Sequence, residues 1–251
     1  MSKPARNKLS PSRVRLLAAN SDFASGVPSG SMVLDAGAGH APYEHLFDHA
    51  RYEAADFNKV KGKKYTQQTY ICDLAAIPVE DGRFDYVVFN QVMEHLPDPS
   101  AVLRELRRVL KPGGQMICTT PLFYEEHDTP YDFYRYTQYG LRHLLNEAGF
   151  ELVHFDWLEG YYGTVGHQLL SASKFLPLKP SDYGGGIVGA LNAAAALPMR
   201  ALFRVLSAYY NRLELRHKYT TRGLPKNYVA VVRNPAVQST ARVDQRVREA
   251  V

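Results

Sequence analysis

The 251 residues are 45% hydrophobic and 22% charged, ordinary proportions for a soluble globular protein and enough for one large α/β domain with a real core or two small ones. Two cysteines, Cys72 and Cys118, without CxxC or Cys/His spacing argue against a disulfide framework or a zinc site and for a reducing cytoplasm. The net charge of +5 leaves an anionic partner open; the basic first residues (Lys3, Arg6, Lys8, Arg13, Arg15) lead into an apolar segment too short for a signal peptide, and no apolar run approaches the ~18 residues that span a bilayer.

In chain order, "MVLD" (32–35) is a short buried strand that meets glycines at once in "LDAGAGHAPY". "RYEAADF" (51–57), "YICDL" (70–74), "FDYVVFNQ" (84–91) and "QMICTTP" (115–121) are further strands, the fourth continuously apolar in its middle, as a strand covered on both faces should be. Between the last two lies the clearest helix. Asp98 is its cap and Pro99 its first turn, Val102, Leu103, Leu106, Val109 and Leu110 form one apolar face, and Lys111 stands in the last turn before Pro112-Gly113-Gly114. A second helix runs from a Thr137 cap through Leu141, Leu144, Leu145 and Ala148 to Gly149, and "FELVHFDWL" and "NYVAVVRN" (227–234) are strands. Alternation of strands and helices predicts a doubly wound parallel sheet. The chain divides into a basic arm and helix (1–29), a core (30–159), a helical insertion (160–226), a final core strand (227–235) and a tail (236–251).

The glycine turn could open a dinucleotide site, but Pro42 stands where the third small residue of that fingerprint belongs, which demotes the NAD reading. Asp56 ends the second strand about twenty residues on, where a carboxylate accepts from both ribose hydroxyls, and Asp73 ends the third, where an adenine edge would lie. A ligand with an adenosine but no required phosphate, beside three carboxylates, suits a cation.

Taken together, "VLDAGAGHAPY", "AADF", "CDLAAIPVEDGRFDYVVFNQVMEHLPDP" and "LKPGGQMICTTP" resemble the successive motifs of class I S-adenosylmethionine-dependent methyltransferases of the methyltransferase-11 type, over about residues 30–155 and the final strand. The resemblance implies a Rossmann-like seven-stranded sheet whose antiparallel last strand is inserted between strands five and six. It implies that Asp35, Gly37 and Gly39 hold the methionine part of S-adenosylmethionine and Asp56 the ribose. Asp73 with Leu74 would border the adenine, and Asn90 and Gln91 would lie beside the sulfonium. Many members carry glycine where Ala41 stands; alanine is small enough for the same packing.

"EEHDTPYDFYRYT" (125–137) follows strand five, so it should lie over the methyl group. Its tyrosines, Tyr131, Tyr134 and Tyr136, give flat walls for an acceptor, with Asp128 and Asp132 beside them, and Arg135 offers a planar fork to a carboxylate or phosphate, or a clamp on Asp132. His127 is the expected base; His95 in "VMEHL" is either catalytic or a packed residue near the cofactor. His127, Asp128 and Asp132 were weighed as metal ligands, but the first two are sequence neighbours and no metal is expected. "HDTPYDFYRYT" also resembles a segment of methyltransferases encoded with bacterial polysaccharide and glycolipid genes.

The expected reaction is therefore methyl transfer to a hydroxyl of a small molecule, a sugar or a lipid-linked acceptor. A nucleic-acid or protein methyltransferase and a non-catalytic scaffold are the competing readings; "NQVMEH" after strand four lacks the motif of a base-targeting amino-methylase, so no nucleic acid is expected. In the insertion, Pro198 is expected to start a helix with Arg200, Arg204, Arg212 and Arg216 on one side and Leu202, Phe203, Leu206, Tyr209, Tyr210 and Leu213 on the other. That helix could cap the acceptor pocket, lie in a membrane interface through residues 187–216 at the inner face of the membrane, or form a homodimer contact.

Overall fold

The Ser10 side chain accepts from the backbone N–H of Arg13 and, with Pro11 in the first turn, starts α1 (Pro11–Ser25). From there the computed structural model, which describes residues 10–60 and 62–236, alternates as the sequence predicts. β1 (Met32–Ala36), β2 (Arg51–Asp56), β3 (Tyr70–Ile71) and β4 (Phe84–Asn90) precede α2 (Pro99–Val109), β5 (Leu110–Pro121), α3 (Gln138–Glu147) and β6 (Glu151–Trp157). Two long helices, α4 (Tyr161–Phe175) and α5 (Gly186–Arg216), then separate β6 from β7 (Asn227–Arg233). Lys3, Arg6 and Lys8 of the basic arm and the tail from residue 237 lie outside the described residues.

The seven strands form one sheet in the order β3-β2-β1-β4-β5-β7-β6. β1 to β5 pair in parallel, and β7 runs antiparallel between β5 and β6, as expected from the resemblance. Alternate residues of the central strands feed two apolar layers: Leu34, Val87 and Phe89 face α2 and α3, while Val33, Val88 and Ile117 face α1. The Asp98 carboxylate accepts from the Ala101 N–H at 2.9 Å and Thr137 caps α3 through the Gly140 N–H at 3.2 Å, so both predicted helix starts hold. Val102, Leu103, Leu106 and Val109 of α2 are all buried, each at about 1.5–3 kcal/mol of favourable transfer.

Three boundaries differ from the sequence reading. β3 is only two residues long, because the edge strand turns away where Asp73 accepts from the Ala75 N–H. α2 ends at Val109 and the chain passes straight into β5 at Leu110; Lys111 is not in a helix but in that strand, where its ammonium meets Asp85 at 2.7 Å. Pro198 does not start a helix: α5 runs through it for 31 residues. The cost is one backbone donor, which leaves the Ala194 carbonyl without its usual partner. With Pro198 inside, α5 also becomes the one helix among the described residues long and apolar enough to cross a membrane, contrary to the expectation that no segment reaches that length.

The gain comes from α4, against which α5 packs as an antiparallel hairpin. Arg200, Phe203, Ser207, Tyr210 and Glu214 face α4, and Gly189, Ala193 and Ala196 continue the same face toward the connection between the helices, where Gly189 meets the Pro180 carbonyl. Together they recur every three or four residues, the 3.5-residue repeat of a coiled-coil seam. Small residues bring the backbones close: a Cβ on Gly166 of α4 would lie 2.4 Å from the Asn211 side chain, and Ser207 donates to the Gly166 carbonyl at 2.7 Å. α5 also supplies both caps of α4. The buried Glu214 carboxylate accepts from the N–H groups of Gly160 and Gly163 at its start, and Arg200 donates to the carbonyls of Lys174 and Leu176 at its end, each charge opposing the helix dipole. Glu214→Ala should strand two buried donors and destabilise the protein by about 2 kcal/mol. Thermal unfolding should register this as a fall of about 4–8 °C; an unchanged midpoint would mean that the cap does not hold the hairpin.

Candidate active site

At the end of β1 the chain reverses through Gly37 and Gly39, both in the left-handed region (φ 79° and 55°). Position 37 demands glycine twice over, since a Cβ there would also fall 2.4 Å from the Val92 side chain. Ala41 is left-handed too, at φ 48°. The glycine of related proteins there answers a backbone requirement rather than one of size, and alanine meets it at a cost of about 1–2 kcal/mol. The buried Asp56 carboxylate locks the turn: one oxygen accepts from the Gly39 N–H at 2.9 Å, the other from the Asn58 N–H at 3.0 Å. Asp35 is buried as well and accepts from the Tyr52 hydroxyl. Burial outweighs that bond and pushes its carboxyl up to about 7.

Two cavities open above these turns, of about 290 and 620 Å³. Asp56, Asp73 and Leu74 line the smaller one with Val92 and Leu96; Asp35, Gly39 and Asn90 line the larger. Gly37, Gln91, His95, Asp128 and Lys63 border both, so the two spaces meet at this wall. The smaller cavity suits an adenosine, with carboxylates for hydroxyl and amino groups and apolar side chains for the purine faces. Asn90 is not free in the larger cavity: it donates to Asn20 of α1 at 2.7 Å and accepts from Thr119 at 2.8 Å.

The 125–137 segment separates into two roles. His127 and Asp128 border the larger cavity, and the Asp128 carboxylate pairs with Lys63 at 2.8 Å. Tyr131 lies on the cofactor side instead, its ring edge-on to Phe57 at 5.3 Å and its carbonyl bonded to His95 Nδ1. Asp132, Tyr134 and Arg135 line neither cavity. Arg135 grips Asp132 at 2.6 and 2.8 Å and spends its remaining donors on the carbonyls of Tyr124, Glu125 and Tyr134, which leaves it no fork for a substrate. That grip holds the Asp132 carboxyl down at about 2. Asp132 in turn accepts from the His127 N–H at 2.8 Å and lies 3.7 Å from its ring. The rings of His127 and His95 meet edge to face at 4.7 Å, and burial keeps the His95 imidazole below its ordinary value and hence neutral.

Asp128 and Asp132 are thus committed to Lys63 and Arg135, and the two do not form one ligand set with His127. A different trio does: Glu94, His95 and His127 each offer a ligand atom within 4.8 Å of the others. Glu94 is buried with neither carboxylate oxygen hydrogen-bonded, and burial pushes it up to about 8.

Several lining residues had no signal in the sequence. Arg13 of α1 and Lys226 before β7 border the larger cavity from the two ends of the chain, and only the topology unites them. Lys226 sits over the Tyr124 ring at 4.4 Å, while His167 stacks on that ring and bonds Glu125 at 2.9 Å. His167 alone was within reach, since α4 follows a strand whose end faces the site. Ser12 and Asn227 both bond the buried Glu159, which fixes α1 across the cleft.

A sheet of this order, with an adenosine-sized cavity over its first turns and a second cleft beyond, defines the class I S-adenosylmethionine-dependent methyltransferases. The chain belongs to the methyltransferase domain family, whose model matches residues 7–155, more than half its length. The ubiquinone/menaquinone biosynthesis C-methyltransferase of Desulfotalea psychrophila is 27% identical over 184 residues, covering 66% of this chain and 74% of that protein. The demethylmenaquinone methyltransferase of Staphylococcus saprophyticus is 46% identical over 57 residues, 20% of this chain, which spans 24% of that enzyme's length. Among solved structures, phosphoethanolamine N-methyltransferase 2 of Haemonchus contortus, with S-adenosyl-L-methionine, superposes with a TM-score of 0.52 at 15% identity, over 89% of this chain and 52% of that one. The [4+2]-cyclase SpnF gives 0.52 at 18% identity, over 90% and 81%. At such identities the superpositions show the fold alone.

Asp35 supplies a pH test. Its folded-state value lies above the ordinary carboxylate range, so its protonated form contributes stability at low pH that is lost as pH rises toward 7. A cationic ligand prefers the ionised form. Affinity for S-adenosylmethionine should therefore rise up to about tenfold from about pH 6 to pH 8, and Asp35→Asn should flatten the dependence. Calorimetric titrations at several pH values check this, and a flat profile in the parent protein would remove Asp35 from the cofactor contacts.

Proposed function

We propose that the protein methylates a hydroxyl oxygen of an amphiphilic acceptor that carries an anionic group. The carrying observation is the His95–His127 pair, with His95 on the wall shared by both cavities and His127 on the acceptor side. When bound, S-adenosylmethionine supplies a methyl group already activated on its sulfonium, so the chain's task is mainly alignment. A hydroxyl acceptor must also lose its proton. His127 is arranged to take it: Nδ1 faces the Glu125 carbonyl at 3.2 Å and the ionised Asp132 at 3.7 Å, which leaves Nε2 as the proton acceptor and Asp132 to stabilise the imidazolium.

The cleft describes the rest of the acceptor. Arg13, Lys226 and Lys174 offer positive charge, and none of the three is ion-paired among the described residues. Leu16, Leu170 and Phe175 continue the cleft as an apolar wall along α4. An anionic group near Lys226 and Arg13, a hydroxyl at His127 and an apolar tail along α4 match these three parts of the cleft. Two relatives are named for menaquinone or ubiquinone methylation, which supports a small-molecule acceptor and not the compound.

His127→Ala should lower turnover by about 10²–10⁴ while cofactor affinity stays nearly constant. The acceptor is found by comparing lipid extracts of cells with and without the protein for species lighter by one CH2, and the purified enzyme is then assayed on it. Normal turnover in the variant would reduce His127 to a wall of the cleft.

A further inference from the structure

The outer face of α5 breaks the usual rule for a water-exposed helix. Apart from Phe203 and Tyr210, the inner face uses small and polar residues, and many large apolar ones point away. Ile187, Val188, Leu191, Leu202, Val205 and Tyr209 are each between 48% and 80% exposed. They form two groups, 187–191 and 202–209, joined on the side opposite the seam by the exposed Ala195 and Pro198, in a stripe about 33 Å long at 1.5 Å per residue. Phe203, expected on the apolar side, is half-buried in the seam, and Arg200 is committed to the end of α4. A stripe of this size is beyond what a monomer leaves to water without use.

We propose that this stripe lies in the interface of an anionic lipid bilayer and holds the enzyme on the membrane that contains its acceptor. The inference rests on the amphiphilic acceptor proposed above. Charge selects the occupant. Residues 160–226 hold nine lysines and arginines against two acids, and no acid stands between Asp182 and Glu214. Arg204, Arg212 and Arg216 flank or extend the stripe, and Lys174 and Lys179 lie at its far end. A two-fold contact between copies would bring the same arginines together with no acid in the stripe to pair them, whereas anionic headgroups neutralise them. The helix lies on the bilayer rather than crossing it, because its other face is bonded to both ends of α4 through Glu214 and Arg200. The acceptor cleft ends at the same place: Leu170, Lys174 and Phe175 line it where α4 reaches the hairpin turn, and Phe175 is 70% exposed. An acceptor anchored in the bilayer could therefore extend its polar end along α4 to His127.

The full-length protein is floated with vesicles of phosphatidylcholine alone and of phosphatidylcholine with phosphatidylglycerol, at low and high salt. Binding should require the anionic lipid, weaken with salt, and fall at least tenfold in Leu202→Glu/Val205→Glu. The melting temperature, calorimetric affinity for S-adenosylmethionine and turnover on a detergent-dispersed acceptor should stay unchanged in that variant. If the parent protein transfers methyl groups to a hydroxyl amphiphile but never floats, the bilayer proposal falls and the acceptor reading stands. If it floats as expected but methylates no hydroxyl amphiphile, the acceptor reading falls and the surface stands. Sedimentation that shows a dimer dissociated by the same double substitution, without flotation, gives the face to a second copy and overturns the proposal.

Discussion

One buried carboxylate organises the floor of the site. Asp56 stands at the end of β2, yet its two oxygens accept from the glycine turn that follows β1 and from its own following loop. Gly39, held by Asp56, in turn accepts through its carbonyl from the Thr66 N–H and the Gln68 side chain, both at 2.9 Å. Two loops that the sheet leaves independent, the β1 turn and the β2–β3 connection, are thereby tied together. Each Asp56 oxygen accepts one N–H and keeps a lone pair toward the smaller cavity, so the group that builds the turn is also placed to meet a ribose. The left-handed backbone at positions 37, 39 and 41 persists because this network over-determines it.

Above that floor, Asp35, Asp56 and Asp73 gather around the ends of the first strands, where a sulfonium cofactor would bring positive charge, while Arg13, Lys174 and Lys226 line the larger cavity alongside Asp35, Glu125 and Asp128. The histidine pair stands at the wall between the two cavities. Groups fixed in advance at such a boundary need little rearrangement as charge moves during transfer. Glu94 lies just behind, and because burial raises it to about 8 it is mostly protonated near neutrality and adds no charge to compete with Asp132 for the His127 imidazolium.

Much of the fold was legible because the parallel strands are short apolar runs that end in Asp35, Asp56 and Asn90, and because Asp98 and Thr137 mark helix starts by side-chain chemistry alone. The site was less legible. Arg135 looked like a substrate fork, but Asp132 three residues earlier takes both of its arms, and sequence gives no sign of which of two partners wins. Arg13 and Lys226 are more than two hundred residues apart and meet only through the placement of β7 beside β5. The insertion misled for a specific reason. An amphipathic pattern identifies two faces, and the inside is ordinarily the large apolar one. Along α5 close approach selects Gly189 beside the Pro180 carbonyl and Ser207 beside Gly166 of α4, with Ala193 and Ala196 buried between, so the rule inverts.

The place of β7 also sets the order in which the molecule can be assembled. Among the described residues β6 has no strand partner other than β7, and β7 pairs with β5 from more than a hundred residues away. As the chain emerges from the ribosome, β1 to β5 can form their parallel ladders and α4 can close on α5 through contacts local to the hairpin. β6 must wait, its edge unpaired, until Arg233 is free. Lys226 and Asn227, which wall the acceptor cleft, arrive with that last strand. A nascent chain therefore completes its cofactor floor well before it owns a cleft, and the facing edges of β5 and β6 stay unpaired until β7 joins them.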